Sequence, residues 1–360
     1  MSNFCFYNGS PHINPQERYN RESSYLDQLE NKSKGSIDKI EFYVHEQVTF
    51  EELKIKSERY GYKSEVTRLP ETKGWTFRVL GPNQERLLFF IWSKHSTSSR
   101  KCAVRPSDFN SYKTMMKFLT NLLGRNQVES ADVYRTDFAV DIPDHFEVIK
   151  ECIFSNRKQH LRVFINDGER VSGLQIGRKP NLCSTYDKAL ESGIAGPLTR
   201  IEVQLTQNEK LFSILTDLPK IIKPLNGVYA RPFRKIALEG IKLKNFEQIK
   251  TKGDLIKFVE LRTLKTEIGG QLARKKCNLK KRFSADYGRF VEFAPYPVDL
   301  DKVLLRDLCK FFEMPHVFET AIEPLWSEEQ PSKDLEATAI TGRSWRVTTK
   351  SSKKEVSYES

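Results

Sequence analysis

The sequence lacks the features that mark membrane-spanning, secreted and ATP-driven proteins. No apolar run approaches the ~20 residues that a helix needs to cross a bilayer. The first twenty residues carry no basic segment followed by an apolar one, so no signal peptide is predicted. The phosphate-binding pattern GxxxxGK followed by Ser or Thr is also absent. We therefore expect a cytoplasmic protein that does not use a membrane and has no nucleotide-driven motor of its own.

The cysteines and histidines form no recognisable metal or nucleophile motif. The six cysteines are scattered without a CxxC pair, which argues against zinc and favours reduced thiols. The six histidines include no His-x-His pair, and no Ser-His-Asp array is evident. Zinc enzymes and serine hydrolases are therefore disfavoured.

Positive charge is concentrated in one fifth of the chain. The net charge is +12, and residues 210–282 hold 19 Lys and Arg against 6 Asp and Glu. Aromatic residues are interleaved with these cations. Nucleic-acid binding depends on phosphate neutralisation and base stacking, so the region predicts a DNA contact. A solvated basic helix face is the plainer alternative. The aromatic residues are Tyr229, Phe233, Phe246 and Phe258, and the densest basic run is Arg274, Lys275, Lys276, Lys280, Lys281 and Arg282.

Composition divides the chain into four parts. Residues 1–36 are polar and are predicted to be a flexible leader, and residues 327–360 a disordered tail. Residues 37–206 are predicted to form the main folded domain. Residues 207–326 are predicted to be a smaller basic, mainly helical DNA-binding region. The helices predicted in that region span 209–217, 254–269 and 300–313.

The pattern within residues 37–206 occurs twice, in halves at about 37–125 and 131–206. Each half reads as a strand, a helix and then a meander of strands. This order favours an α+β fold of duplicated units, in which helices cover one face of an antiparallel sheet and leave the other for a ligand. The predicted strands span 37–44, 62–69, 75–80, 86–92, 133–142, 159–165, 171–176, 182–188 and 199–205, and the predicted helices 50–60, 107–123 and 143–154.

Three of these strands place charged or nucleophilic side chains at every second position. Successive side chains in a strand point to opposite faces, so alternate residues share a face. If the three strands are neighbours, one sheet face combines acids, bases and a phenol. The residues on this face would be Arg135, Asp137 and Asp141, then Tyr186 and Lys188, then Arg200 and Glu202.

This set suits attack on a phosphodiester by a tyrosine hydroxyl. A tyrosine that attacks phosphorus leaves a phosphotyrosine, which stores the energy of the broken bond for rejoining. Tyr186 is the candidate nucleophile. Lys188 would favour its ionisation, because the pKa of a free phenol is about 10. A structural tyrosine in a half-buried strand is the alternative.

The carboxylates on this face are candidate metal ligands. Asp137, Asp141 and Glu202 offer hard oxygen atoms, which select Mg²⁺ or Mn²⁺ and so polarise a scissile phosphate. Cross-strand ion pairs, Arg135 with Glu202 or Asp137 with Arg200, are the alternative. The turn at 177–179 adds phosphate-binding candidates, because glycine lets backbone N–H groups approach a phosphate. The basic residues of this turn are Arg178 and Lys179.

Together these segments resemble the replication initiation factor family, the Rep_trans-type initiators of rolling-circle plasmids and of some phages and mobile elements. The resemblance covers residues 130–206, and the strands before them suit the family's duplicated α+β fold. It rests on the R-x-D-x-x-x-D strand at 133–142, the glycine turn at 173–179, the Thr185-Tyr-Asp-Lys188 segment and the R-x-E strand at 199–205.

The resemblance implies a metal-dependent, origin-specific enzyme that nicks and rejoins one DNA strand to start rolling-circle replication. Tyr186 would remain joined to the 5′ end and free a 3′-OH primer, while Asp137, Asp141 and Glu202 would hold the metal. The implied partners are double-stranded origin DNA, the single-stranded nick site, a host helicase and a host polymerase. One candidate tyrosine per chain also suggests a homodimer. A non-enzymatic DNA-binding initiator or repressor is the main alternative, and a relaxase-like protein a weaker one.

Overall fold

The structure is a computed structural model of the chain. The predicted tail at 327–360, most of the predicted leader and the basic run at 274–282 lie outside the residues it describes. Within the described part of the chain, no helix combines the length and apolar character that crossing a membrane requires. The described residues are 28–68, 74–81, 86–92, 98–155, 161–166, 170–178, 181–206, 211–243, 251–253 and 291–326.

Ten antiparallel strands form the central sheet. The strands of this sheet are β1 (Lys34–Thr49), β2 (Lys63–Arg68), β3 (Trp75–Leu80), β4 (Arg86–Trp92), β5 (Ser98–Val104), β6 (Asp132–Ile142), β8 (Leu161–Asn166), β9 (Arg170–Arg178), β10 (Asn181–Asp187) and β11 (Thr199–Thr206). The remaining strands are β7 (Ile153–Ser155), β12 (Ile236–Leu243) and β13 (Val291–Pro295), which form a three-stranded sheet in the order β13-β12-β7.

The strand order is the same on the two sides of the central β1–β6 pair. Outward from β1 it runs β5, β4, β3, β2, and outward from β6 it runs β11, β10, β9, β8. In each half the first strand lies at the centre and the last strand returns beside it. The predicted α+β class with an antiparallel sheet agrees with this arrangement, while origin of the halves by duplication stays an interpretation.

The helices begin where side chains cap them. Thr49 starts α1 in a capping box with Glu52. Ser111 starts α2 by accepting a hydrogen bond from the Thr114 N–H, so this helix begins later than the predicted 107. The main helices of the described residues are α1 (Phe50–Arg59), α2 (Tyr112–Leu123), α3 (Arg125–Glu129), α4 (Phe146–Cys152), α5 (Lys188–Ser192), α6 (Leu300–Phe311) and α7 (Pro315–Trp326). Residues 28–32 are also helical, and Pro106–Asp108 form a single 3-10 turn.

The core lies between one sheet face and the helices. Ile40 and Phe42 of β1 are at most 1% exposed, as are Leu53 of α1 and Met115 of α2. Alternate residues occupy the opposite face, which we call the charged face. On the four strands that matter most, the charged face comprises Lys39, Glu41 and Tyr43 of β1, Arg135, Asp137 and Asp141 of β6, Arg200, Glu202 and Gln204 of β11, and Ser184 and Tyr186 of β10.

Helix α6 packs closely on the first residues of β1. A Cβ at Gly35 would lie 2.5 Å from the Leu304 Cα, so glycine is needed at this position. The Gly35 N–H donates to Asp307 at 2.8 Å, and Arg306 donates to the Ser33 carbonyl at 2.5 Å. The last residues of the predicted leader are therefore held in place, and β1 begins at Lys34 rather than at 37.

Residues 211–243 differ from the predicted helical module. Residues 211–217 form turns where a helix was predicted at 209–217, because this segment hydrogen-bonds to the end of the sheet. The Val133 N–H donates to the Ser213 carbonyl, and the Leu215 N–H donates to the Ala131 carbonyl. The predicted helix at 300–313 is confirmed as α6, whereas the one at 254–269 lies outside the described residues. The described residues up to Ile322 belong to one compact unit.

Candidate functional site

Neighbouring strands align the predicted site residues on the charged face. Tyr186 of β10 lies directly across from Arg200 of β11, and Arg200 lies across from Asp141 of β6. Two residues further along the same two strands, and on the same face, Glu202 lies across from Ser184. Cβ atoms of directly opposed residues are ~5 Å apart. Tyr186, Arg200 and Asp141 therefore form a row across three strands.

Arg200 is fixed at the centre of this row by two carboxylates. Its Nε and Nη2 donate to the two Asp141 oxygens at 2.7 and 2.8 Å, and its Nη1 donates to Asp38 at 2.6 Å. Asp38 reaches Arg200 from a bulge in β1, between Ile37 and Lys39. Burial disfavours the charged guanidinium, but the hydrogen bonds and charge of Asp141 outweigh it and raise the Arg200 pKa. Arg200 is thus a permanently charged, oriented group beside Tyr186.

A second arginine holds the other predicted aspartate. Arg135 donates from Nε to Asp137 at 2.7 Å and also binds it through Nη2, while its Nη1 lies 3.4 Å from Glu41. Lys39 pairs with the same Glu41. Asp137 is 1% exposed, and burial raises its pKa although Arg135 opposes the rise. These ion pairs differ from the predicted ones, which joined Arg135 to Glu202 and Asp137 to Arg200.

Glu202 lies between the two arginine clusters and titrates near neutrality. Burial raises its pKa to about 7, and the Asp38 and Asp137 carboxylates add to the rise, while Arg200 and Arg135 oppose it. A carboxyl group with such a pKa can take up and release a proton at physiological pH. Glu202 therefore suits proton transfer better than Asp137 and Asp141, whose oxygens are engaged by arginines.

Tyr186 is half-buried, and its hydroxyl resists ionisation. Burial raises the pKa of the phenol, the charge of Glu202 raises it further, and Arg200 lowers it. The reactivity of this tyrosine is therefore set by two neighbours of opposite charge.

The structure corrects the predicted position of Lys188. Strand β10 ends at Asp187, which caps α5 by accepting a hydrogen bond from the Leu190 N–H at 2.9 Å. Lys188 is the first residue of that helix and pairs with Glu191 at 2.5 Å. Its ammonium lies over the Tyr186 ring, 5.9 Å from the centroid. The strand alternation failed here because the chain turns into a helix after Asp187.

Gly173 keeps space beside Tyr186. It lies directly across from Tyr186 in β9, and a Cβ there would lie 3.3 Å from the Thr185 carbonyl oxygen and 3.4 Å from the Tyr186 Cβ. Phe164 of β8, 44% exposed, lies on the other side of this glycine. A side chain at position 173 would therefore press on the candidate nucleophile.

The predicted carboxylates do not come together as a metal site in this arrangement. Among the residues that the structure describes, no three His, Cys, Asp or Glu side chains form a group that could hold a metal ion. Asp137 and Asp141 each give both oxygens to an arginine, and these are the oxygens that Mg²⁺ or Mn²⁺ would need. In this arrangement the three carboxylates do not fit a bound cation.

The other predicted DNA-binding residues are placed only in part. Arg178 ends β9, whereas Lys179 and the basic run at 274–282 lie outside the described residues. Phe233, interpreted as a possible stacking residue, is 3% exposed, and its N–H donates to Asp301 at 2.9 Å. Phe233 is therefore a core residue, and its interpretation as a base-stacking residue is wrong.

The sequence reasoning missed the contribution of β1 to the site. Asp38 holds Arg200, and Glu41 contacts Lys39 and Arg135. Lys39 and Glu41 stand at alternate positions of an apolar strand, and this pattern could have placed β1 on the charged face. Asp38 gave no such signal, because a bulge is not visible in the alternation.

No family model matches the chain, and no curated protein matches it. Among solved structures, the chain is similar to the rolling circle replication initiator protein from Geobacillus stearothermophilus, with 14% sequence identity and a TM-score of 0.29. The similarity covers 49% of this chain and 76% of that one. At this TM-score the similarity carries no conclusion about the fold or the activity of the chain.

Proposed function

We propose that this chain is a replication initiator that nicks and rejoins one DNA strand, with Tyr186 as its nucleophile. The observation that carries the proposal is the row of Tyr186, Arg200 and Asp141 across three neighbouring strands. A guanidinium fixed beside a phenol favours the phenolate, and it also binds phosphate through paired hydrogen bonds. The sequence resemblance of residues 130–206 supports the same assignment.

In the proposed step the Tyr186 oxygen attacks the phosphorus of one phosphodiester. The new bond joins the tyrosine to the 5′-phosphate. The bond from phosphorus to the 3′ oxygen breaks, and that oxygen takes a proton to become a 3′-OH. Attack by a 3′-OH on the phosphotyrosine reverses these changes and returns the proton to the phenol, so rejoining requires no nucleotide hydrolysis.

Glu202 is the proposed acceptor of the Tyr186 proton. Its pKa of about 7 lies near the working pH, which is the condition for an efficient general base. Its negative charge is also one cause of the raised Tyr186 pKa. Proton transfer to Glu202 would remove that repulsion at the moment when the phenolate forms.

Arg200 is proposed to stabilise both the phenolate and the phosphate. Its side chain is 13% exposed, and Asp141 and Asp38 hold it in position before DNA arrives. A phosphate that binds Arg200 must compete with these carboxylates, so they also set how tightly DNA is held. Origin binding by the basic region, a second protomer, and the host helicase and polymerase belong to the proposal as predictions from the sequence. The predicted Mg²⁺ or Mn²⁺ requirement is not part of it, because arginines hold both oxygens of Asp137 and of Asp141.

The test incubates the purified full chain with supercoiled plasmid carrying its presumed origin, in Mg²⁺, Mn²⁺ or EDTA, followed by denaturing electrophoresis and peptide mapping. A covalent protein–DNA adduct at Tyr186 is expected, and Tyr186→Phe should abolish it. Tyr60→Phe is the matched control, because Tyr60 lies at the end of α1 and is 45% exposed. An adduct at another tyrosine would keep the nicking function and overturn the role of Tyr186.

A second candidate function is DNA binding without cleavage. The two arginine–carboxylate clusters favour it, since they give the charged face a structural role without any reaction. DNA binding with no adduct in any of the three conditions would support this candidate against the nicking enzyme.

A further inference from the structure

Two tyrosines and a lysine meet on the charged face away from Tyr186. The Tyr43 and Tyr134 rings are stacked, with centroids 4.5 Å apart and planes 29° from parallel. The Lys101 ammonium lies 5.0 Å from the centroid of the Tyr134 ring. We call this group the Tyr43 cluster.

The strand register explains why the three side chains meet. Tyr43 of β1 lies directly across from Lys101 of β5. The register of β6 against β1 shifts after Glu41, so that Arg135 pairs with Glu41 and Val133 with Phe42. Tyr134 is therefore the extra residue of a bulge, and a bulge re-aims a side chain. The bulge brings Tyr134 against Tyr43, although regular alternation would place it on the core face.

The Tyr43 cluster presents a flat aromatic surface to solvent. Tyr43 is 44% exposed and the Lys101 side chain is 41% exposed. A single exposed aromatic residue is ordinary. A stacked pair with a cation over one ring is a more specific arrangement, because it combines a π surface with a charge that can meet a phosphate.

The charges around the Tyr43 cluster leave Lys101 available to an anion. Glu41 lies 3.9 Å from Lys101, at the limit of an ion pair, and it also contacts Lys39 and Arg135. Asp132 lies directly across from Tyr43 on the other side. An anionic ligand must therefore approach from the Lys101 side, while the ring surface of Tyr43 receives a planar group.

We propose that the Tyr43 cluster is a base-stacking subsite for single-stranded DNA, on the same face as Tyr186. Successive bases of a single strand stack on aromatic side chains, and lysines beside them neutralise phosphates. DNA as the ligand rests on the proposed nicking function, since a nicked strand must be held single-stranded near the nucleophile.

The separation from Tyr186 fits a short single-stranded path. Asp132, across from Tyr43, and Asp141, in the row of Tyr186, are nine positions apart in β6, which corresponds to ~30 Å along the strand. Strand β10 lies three strands from β1, which adds ~14 Å across the sheet. The resulting ~33 Å suits several nucleotides, within the range of ~4–16 that single-strand binding folds cover.

The experiment measures fluorescence anisotropy of a labelled oligo-dT of ~15 nucleotides with the full chain carrying Tyr186→Phe, in EDTA. In this background, cleavage cannot affect the result. Tyr43→Ala should weaken binding about tenfold, since one stacked base is lost. Tyr43→Phe should keep binding, because the ring stays. Lys101→Gln should weaken oligo-dT binding. It should also reduce the slope of log affinity against log salt concentration by about one, which corresponds to the loss of one phosphate contact.

Tyr60→Ala is the matched control, because Tyr60 is as exposed as Tyr43 but lies at the end of α1. It should leave binding unchanged. The proposal is overturned if the parent protein does not bind oligo-dT, if Tyr43→Ala binds as the parent does, or if Tyr60→Ala loses as much. Loss with Tyr43→Ala but no adduct at Tyr186 in the nicking assay would remove the proposed reaction and keep the subsite. An adduct at Tyr186 together with unchanged oligo-dT binding by Tyr43→Ala would keep the proposed reaction and remove the subsite.

Discussion

The two halves of the sheet share a strand order but carry different side chains on the charged face. In the second half, β11 beside β6 carries Arg200 and Glu202, and β10 follows with Tyr186. In the first half, β5 beside β1 carries Lys101 and Ala103. Two halves with the same strand order therefore carry different groups. The second half has a row of interacting charges, and the first half has a solvated lysine beside aromatic rings.

The difference in burial decides what each half can do. Arg200 is 13% exposed and bound by two aspartates, whereas Lys101 is 41% exposed with a carboxylate 3.9 Å away. Charges removed from water shift the pKa values of their neighbours, which is what proton transfer and nucleophile activation require. A solvated lysine instead neutralises phosphate charge directly. The difference in burial is consistent with the two proposals, in which the reaction takes place in the second half and non-covalent binding in the first.

The largest expected effect is on the yield of covalent protein–DNA adduct, which should depend on Tyr186 in the second half and not on Tyr43 in the first. Tyr186→Phe removes the attacking oxygen and should lower the yield of protein–DNA adduct about 1,000-fold or more. Tyr43→Phe should leave the yield unchanged, because it keeps the ring and stays far from the reacting atoms. Denaturing electrophoresis of both variants gives the comparison. Equal losses of adduct in the two variants would contradict the proposal that only the second half of the sheet carries out the reaction.

A smaller effect concerns the stability that each cation provides. Arg200→Ala leaves Asp141 and Asp38 without their partner and should lower the free energy of unfolding by ~2–3 kcal/mol. Lys101→Ala should lower it by less than ~0.5 kcal/mol, because exposed ion pairs contribute little. Urea unfolding of the two variants checks this, and similar losses would show that burial does not distinguish the two sites.

Glu202 gives the second half a specific pH dependence. Its pKa is raised from 4.5 to about 7 in the folded protein, so the folded state binds the proton more tightly than the unfolded state. Its contribution to stability is thus highest below pH 4.5 and is lost as the pH rises to about 7. Glu202→Gln mimics the protonated form and should be more stable than the parent above pH 7, by on the order of 2 kcal/mol.

The stability gain of Glu202→Gln should disappear below pH 4.5, because Glu202 is then protonated in both states. Thermal or urea unfolding of both proteins across this range isolates Glu202 from the other titrating groups. A constant difference at all pH values would contradict a raised pKa. The nicking rate of the same variant should fall most above pH 7, where the parent Glu202 is deprotonated and can accept the Tyr186 proton.

The smallest effect lies in the Tyr43 cluster. The Tyr134 hydroxyl is buried and has no hydrogen-bond partner within the described part of the chain. Removing such a group costs nothing in lost bonds, so Tyr134→Phe should change the unfolding free energy by less than ~0.5 kcal/mol or stabilise the protein. Its oligo-dT binding should match that of the parent. A clear loss of stability would reveal a hydrogen bond to this hydroxyl in solution.

The sequence predicted strands well where a short apolar run ends at turn residues. Strands β3 and β4 begin and end at the predicted residues 75–80 and 86–92. Strand β5 was not predicted, because its sequence SSRKCAV opens with polar residues and has no regular alternation. Its place in the sheet comes from pairing with β1 and β4, which depends on residues distant in sequence.

The sequence predicted which residues share the charged face but not which of them touch. Alternation groups Arg135, Asp137 and Asp141, and the register confirms that β6 and β11 are neighbours. The partner of each arginine depends on register and on the bulge at Asp38, which are tertiary properties. The predicted position of Lys188 was wrong for a local reason, because Asp187 caps a helix and the strand does not continue to Lys188.

The contact between α6 and β1 bears on the order in which the chain is made. Gly35 and Asp307 are hydrogen-bonded although 272 residues separate them. During synthesis β1 emerges well before α6, the helix that covers its first residues, because 272 residues separate their contacting residues. Contacts between residues so far apart in sequence form late in folding, and apolar strand residues stay exposed to solvent until they form. A chain that stops before Leu300 would keep all ten strands of the sheet but leave the first residues of β1 around Gly35 uncovered, so we expect such a product to aggregate instead of folding.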